Sequence, residues 1–200
     1  MPSLRYTKII PVALLLVIIA IAIAALVSLA RLIFVPDASN NTVSQIDITK
    51  EALLSSDPDH KVILTVRGPI VANENFRSYQ MIISSGSRQL ITYKGYLDEV
   101  TDNILLNNNQ KAYEQFVFAL YKANLVKGNE FTGDKNDIRG ICATGRVYDF
   151  KVINLEGTKK QLWTSTCSGS KGSLNVSVDQ LVGLFTSQIP GSELVINKNW

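Results

Sequence analysis

The chain has 200 residues, of which 46% are hydrophobic, and a formal net charge of +3. It contains 20 Lys and Arg, 17 Asp and Glu, one His and two Cys. With so few soft ligands, this composition argues against a four-coordinate zinc site, and the chain is long enough for one folded domain.

The first predicted element is a membrane anchor. Ile9 to Ala30 is an unbroken run of 22 residues without a charged side chain. A helix of this length would span roughly 33 Å, enough to cross a hydrocarbon core of about 30 Å. The sequence therefore predicts a short cytoplasmic tail and a transmembrane anchor in residues 1–35, with lipid contacts through residues 9–35. The alternative is a signal peptide cleaved after Ala30, but such peptides have a shorter apolar core, of about 7–15 residues.

The charges that flank the run predict its orientation. Arg5 and Lys8 precede the run and Arg31 follows it. The side richer in Lys and Arg faces the cytoplasm, so we expect a single-pass protein of the cell membrane with an extracytoplasmic C-terminal domain. The other 17 basic residues balance the 17 acidic ones, and this neutral exported part gives no support for nucleic-acid binding.

A polar linker is predicted over residues 36–60, ending in the turn Asp57-Pro58-Asp59. The extracytoplasmic domain is then expected to occupy residues 61–200. Its first part is rich in β-branched residues and is interrupted by Gly-Pro and Ser-Gly turns. This pattern predicts three strands: Val62–Arg67, Tyr79–Ile83 and Gln89–Tyr96.

Two helices and a second hairpin complete the predicted domain. Apolar residues spaced as on one helix face predict a helix at about residues 108–125, with the stripe Tyr113, Phe116, Val117 and Leu120. A hairpin about Glu156-Gly157 follows, formed by strands at residues 147–154 and 160–167. A capping box of Ser177 and Gln180 then begins a last helix, which Pro190-Gly191 ends.

The order β-β-β-α-β-β-α predicts an α+β fold. Hairpins imply antiparallel pairing, and helices with one apolar face need a sheet to cover. We therefore expect an antiparallel sheet of about five strands covered by two helices.

The two cysteines, Cys142 and Cys167, are predicted to form a disulfide, because both lie in the exported part, where the environment is oxidising. Free buried thiols and a metal pair are the alternatives. The predicted hairpin register does not place the two cysteines opposite each other. A bridge therefore requires Cys142 to lie in the loop before its strand, where Gly140 and Gly145 would permit the chain to fold back.

No catalytic, cofactor-binding or metal-binding residue is predicted. His60 is the sole candidate base for Ser-His-Asp or Cys-His chemistry, and it is expected to be a solvated residue of the linker turn. Carboxylates that could act as a pair are expected to be solvated loop acids: Asp98, Glu99, Asp102, Asp134 and Asp137.

The layout of a very short tail, one anchor and a small α+β domain with the late cysteine pair, Cys142 and Cys167, resembles uncharacterised single-pass membrane-anchored bacterial proteins. It is also similar to bitopic assembly subunits of bacterial secretion machines, although those place helices before the sheet. Neither resemblance implies a functional residue.

The leading hypothesis is a membrane-tethered extracytoplasmic domain that binds or scaffolds an envelope or surface protein without catalysis. Contacts are expected at loops 98–109 and 129–141 and on the exposed sheet face. The alternatives are an envelope hydrolase that uses carboxylates or a Ser-Lys pair, and a subunit of a secretion or pilus-like assembly.

Overall fold

The computed structural model of the chain describes residues 18–21, 23 and 49–200. The five described residues of the predicted anchor are helical, and the rest of residues 1–35 lie outside the described residues, as do residues 36–48 of the predicted linker. In the described ranges, no helix combines the length and the apolar character needed to cross a membrane. The chain divides into two compact units, Met1–Ser44 and Gln45–Trp200.

The second unit contains one antiparallel sheet of six strands in the order β4-β3-β2-β1-β5-β6. The strands are β1 (Lys61–Arg67), β2 (Arg77–Ser84), β3 (Ser87–Lys94), β4 (Glu99–Asn107), β5 (Val147–Asn154) and β6 (Gly157–Ser165). Its helices are α1 (Gln110–Lys122), α2 (Val178–Thr186) and α3 (Ser192–Asn199), with 3-10 turns at Asn73–Asn75 and Gly133–Asn136. Residues 49–54 are also helical.

The main core lies between one face of the sheet and the helices. Alternate residues of β1 point into it, namely Val62, Leu64 and Val66. The stripe predicted on α1 is confirmed, because Tyr113, Phe116, Val117 and Leu120 are all buried. Leu53 of the helical residues 49–54 is fully buried in the same core. The α+β class and the antiparallel sheet are therefore confirmed.

The prediction of about five strands is wrong, because residues 98–109 are not a loop. They contain β4, which pairs with β3 along its length. Its side chains alternate between exposed and partly buried, with none fully buried, since β4 lies at the edge of the sheet. Ile104 and Leu106 pack against the core from this strand, but Leu105 is exposed and Asp102 lies on the inward face, so the apolar alternation by which strands are recognised is weak.

The end of the chain also differs from the prediction. Ser177 precedes α2 as expected, but its side chain makes no capping hydrogen bond. The helix ends at Thr186, and a third helix, α3, follows Gly191, which adopts a left-handed conformation with φ of 82°. The helices that cover the sheet therefore number more than the two predicted.

A second, smaller hydrophobic cluster lies beside Trp163 and Val147, away from the main core. The predicted disulfide between Cys142 and Cys167 is present, with 5.3 Å between the Cα atoms. As the register required, Cys142 lies before β5 and turns back, with a φ of 58°. The hairpin register differs slightly from the predicted one, because a bulge at Val152/Ile153 places Asn154 opposite Gly157.

The carboxylate of Asp149 is buried on the sheet, with only 3% of the residue exposed. It accepts a hydrogen bond from Gln161 at 3.0 Å and forms an ion pair with Lys151 at 3.3 Å. Burial raises the pKa of Asp149 above its ordinary value, although Lys151 and Gln161 oppose the shift. The ionised carboxylate therefore depends on its partners.

Removing the cation of Lys151 should destabilise the domain more than removing the charge of Asp149, which that cation neutralises. We expect Lys151→Met to lower the free energy of unfolding by about 1–3 kcal/mol at pH 7, because Asp149 keeps its buried charge. Asp149→Asn should cost less, since its amide oxygen still accepts from Gln161. Burial raises the pKa of Asp149 in the folded protein. The destabilisation that its buried charge causes is therefore absent below the pKa of Asp149 in the unfolded chain, and it grows as the pH rises through the pKa in the folded protein. Urea unfolding at neutral and acidic pH tests this, and equal losses in both variants would contradict it.

Candidate functional site

The two edges of the sheet differ in how their backbone groups are satisfied. At the β6 edge, Trp163 donates its backbone N–H to the hydroxyl of Ser173, and its carbonyl accepts from Ser173 and Leu174. Gln161 donates its backbone N–H to the carboxylate of Glu130 at 2.9 Å. The β6 edge is therefore covered by neighbouring segments of the chain.

The β4 edge is open in the described part of the chain. β4 pairs with β3 on one side and is the terminal strand on the other. Asn108 donates its backbone N–H to the carbonyl of Gly86, which makes Asn107 and Ser87 a pair without hydrogen bonds between them. Every second pair along the strand is of the same kind, so Leu105 opposite Gln89 and Asn103 opposite Ile91 are as well. Because backbone groups in antiparallel strands alternate in direction, the N–H and C=O groups of Asn103 and Leu105 point away from β3. They form a row of backbone donors and acceptors that face solvent.

Exposed apolar side chains accompany this open edge. Val100 and Leu105 of β4 are 56% and 64% exposed, and Leu97 in the preceding turn is 93% exposed. Proteins usually protect a long edge strand with lysine, proline, a bulge or a covering segment. Glu99–Asn107 contains no lysine or proline, although a bulge interrupts its pairing at Thr101 and Arg88 donates to the carbonyl of Asn107. The open edge, defined here as residues 97–107, therefore combines the outward backbone groups of Asn103 and Leu105 with apolar side chains.

The charge of the open edge is acidic. Asp98, Glu99 and Asp102 are its charged residues, and it contains no Lys or Arg. Asp102 accepts a hydrogen bond from Asn199 at 2.9 Å and lies 3.4 Å from Lys198. The bond from Asn199, assisted by Lys198, lowers the pKa of Asp102. The other two acids make no ion pair within the described residues. Lys94 of β3 lies opposite Glu99 in the register, while residues 97–107 themselves carry three acids and no cation.

The structure places the two loops that were predicted to make contacts, residues 98–109 and 129–141, in different roles. Residues 98–109 are a site candidate, but as an edge strand and not as a loop. The region 129–141 packs Phe131, Ile138 and Ile141 against the second hydrophobic cluster, so part of it has a structural role. The open edge was missed because its defining property, an unpaired side, depends on which strands pair, and β4 itself was not recognised.

His60 lies in a cluster with Ser55, Asp57 and Asp59, and the expectation that it is solvated is wrong, since its side chain is 11% exposed. The Oγ of Ser55 is 3.3 Å from its Nδ1, and Oδ1 of Asp59 is 3.1 Å from the same atom. A Ser-His-Asp triad needs the serine and the carboxylate on different ring nitrogens. This cluster therefore lacks triad geometry.

The same cluster is also a candidate metal site. The possible ligand atoms of His60, Asp57 and Asp59 lie within 4.8 Å of one another, but exposed acidic groups commonly lie together without a metal ion.

Of the two remaining candidate acids, Asp134 is exposed in the 3-10 turn Gly133–Asn136, and Asp137 is held by Arg139. The carboxylate of Asp137 accepts hydrogen bonds from the side chain and the backbone N–H of Arg139. These bonds lower the pKa of Asp137 to about 2. A carboxylate held ionised in this way is unsuited to act as a general acid near neutral pH.

The fold and the open edge thus define a small α+β domain with one sheet edge available for pairing. Comparison of the chain with protein-family models and with curated proteins finds no match.

Proposed function

We propose that the protein is a membrane-tethered, extracytoplasmic binding domain without catalytic activity, and that it recruits a partner by strand addition at the open edge. In this binding mode, an extended segment of the partner pairs with an edge strand through its backbone. The observation that carries the proposal is the contrast between the covered β6 edge and the open β4 edge.

The chemistry of the open edge defines the segment that fits it. Backbone pairing with Asn103 and Leu105 requires an extended segment without proline. Asp98 and Glu99 favour a segment that carries lysine or arginine, and the exposed side chains of Val100 and Leu105 favour apolar residues beside these cations. The proposed partner is therefore an envelope or surface protein with an extended basic and apolar segment.

The proposed location is supported by two independent features. The apolar run Ile9–Ala30 has the length and composition of an uncleaved anchor. The two cysteines of the chain are bonded to each other, and structural disulfides are typical of oxidising compartments. Together they favour a domain held at the outer face of the cell membrane.

A proline at Asn103 tests the proposal, because it removes an N–H that points away from β3. The full-length chain in detergent is titrated with an acetylated and amidated peptide of sequence TKVKIKT. We expect Asn103→Pro to weaken peptide binding at least about tenfold, equivalent to about 1.4 kcal/mol. Asn103→Ala is the matched control, since it loses the same side-chain bond to Gln89 but keeps the N–H.

Two further comparisons make the test decisive. The glutamate peptide TEVEIET should bind more weakly than the lysine peptide, because Asp98 and Glu99 would repel it. The unfolding midpoint of Asn103→Pro should stay close to that of Asn103→Ala, which verifies that β4 remains paired with β3. Equal affinity of the proline and alanine variants for the lysine peptide would overturn the proposal.

A further inference from the structure

A cleft opens where β1 ends and β2 and β5 begin, on the side of the disulfide loop. Its volume is about 370 Å³, within the range of about 300–1,000 Å³ that is usual for small-molecule sites. Its walls come from five separate stretches of the chain and combine two arginines with apolar and aromatic side chains. The residues used below are Arg67, Ile70, Phe76, Tyr96, Arg139 and Ile141.

Arg67 is the unusual member of this cleft. It is partly buried, and its guanidinium carbon lies 5.5 Å from the ring centroid of Phe76. Within the described residues, it makes no hydrogen bond to an acceptor and no ion pair with a carboxylate. A guanidinium presents five N–H donors in a rigid plane that matches a carboxylate. The cleft therefore contains a cation with unused donors.

The two acids that feel the charge of Arg67, Asp137 and Asp149, are already bound to other partners. Asp149 pairs with Lys151 at 3.3 Å, and Asp137 pairs with Arg139 through an Nε–Oδ2 distance of 2.8 Å. The charge of Arg67 adds only slightly to the lowering of the Asp137 pKa and only slightly opposes the rise that burial causes in the Asp149 pKa. Among the described residues, its charge in the cleft is thus left without a direct counterion.

The rest of the cleft suits an apolar or aromatic body. Phe76 and Tyr96 stack with their ring centroids 4.2 Å apart, and the hydroxyl of Tyr96 bonds to both the N–H and the carbonyl of Val71. Ile70 donates its backbone N–H to the carbonyl of Ala143, which ties this wall to the disulfide loop. The walls are therefore held in place before any ligand arrives.

We propose that this cleft binds an organic carboxylate with an apolar or aromatic body, and that Arg67 pairs with the carboxylate. The carboxylate belongs either to a free organic acid or to the terminus of a peptide, which present the same chemistry. The anion would lie on the unused donors of Arg67, and its apolar body would lie between the isoleucines and the Phe76–Tyr96 stack. This site is separate from the open edge and does not depend on its role.

The test uses the full-length chain in detergent and titrates it with 3-phenylpropionate and with its neutral amide, 3-phenylpropanamide. We expect the carboxylate to bind and the amide to bind at least about tenfold more weakly. Arg67→Met should weaken 3-phenylpropionate at least about tenfold, and Arg67→Lys should recover part of the loss, because it restores the charge without the planar fork. The double variant Asp137→Asn and Arg139→Met is the matched control, since it removes the other arginine of the cleft together with the carboxylate that would otherwise be free to pair with Arg67. Its effect should stay within about threefold.

A tripeptide of sequence AAF, with a free or an amidated terminus, separates the two sources of the carboxylate. Tighter binding of the free tripeptide than of 3-phenylpropionate identifies a peptide terminus, whereas weaker binding identifies a free acid, and each result supports the site. Equal binding of acid and amide, unchanged affinity in Arg67→Met, or no binding of any of these probes would overturn the proposal. Unfolding midpoints of all variants verify that the comparisons concern folded protein.

Discussion

Phe185→Ala is expected to lower the free energy of unfolding by about 3–5 kcal/mol, the largest loss from a single substitution in this domain. Phe185 is fully buried where α2 meets the sheet. Its ring lies edge-on to Phe116 of α1, with centroids 5.2 Å apart, and 6.0 Å from the ring of Phe150 on β5. It therefore joins two helices and the sheet, and alanine would leave a cavity bordered by all three. Urea unfolding of the full-length chain measures the loss.

Phe118→Ala is the matched control for this prediction. Phe118 is also a phenylalanine of the helical layer, on α1, but it is 49% exposed. Its contacts are with neighbours on the same helix, Tyr121 and Lys122. We expect a loss of at most about 0.5–1 kcal/mol. Similar losses in the two variants would mean that α2 does not pack on the sheet as described.

Loss of the disulfide should have the second-largest effect. The double variant Cys142→Ala and Cys167→Ala is expected to lose roughly 3–4 kcal/mol, since the bridge closes a loop between residues 25 positions apart. The bridge also holds the segment of Ile138 and Ile141 against Trp163, in the smaller hydrophobic cluster. The loss should therefore be accompanied by faster amide exchange in residues 138–146.

Chemical reduction provides the control for the disulfide prediction. Dithiothreitol should lower the unfolding midpoint of the native chain and leave that of the double alanine variant unchanged. It should also weaken 3-phenylpropionate binding, because Arg139 and Ile141 line the cleft and lie just before Cys142. If the reduced native chain kept the midpoint of the oxidised chain, the bridge would make no contribution to stability.

The elements that were predicted correctly have a strong periodic pattern or a specific turn. The α1 stripe follows helical spacing, and the β2–β3 hairpin turns at Ser85-Gly86, a dipeptide that favours turns. The cysteine pairing was predicted from the count of two and the expected oxidising compartment, and the turn at Cys142 from the strand register. In these cases a local pattern determines the structure, because the residues concerned are neighbours in the chain.

The elements that were missed depend on distant partners. β4 is an edge strand of mixed polar and apolar residues, and it is recognised only once β3 is known to pair with it. α3 has no pronounced apolar stripe and buries mainly Ser192, so neither periodicity nor composition indicates a helix there. Arg67 ends a predicted strand, but its isolation from carboxylates follows from pairings of Asp137 and Asp149 with residues elsewhere in the fold. Such features arise from tertiary contacts and leave no pattern in a short window of sequence.

Strand addition at the open edge is tested most directly by residue-resolved amide exchange of the full-length chain, with and without the TKVKIKT peptide. Without peptide, the outward N–H groups of Asn103 and Leu105 should exchange quickly, whereas Trp163 at the covered edge should be protected. With peptide, Asn103 and Leu105 should become protected while Trp163 is unchanged. Unchanged exchange at Asn103 and Leu105 when the peptide is bound would contradict recruitment by strand addition at the open edge.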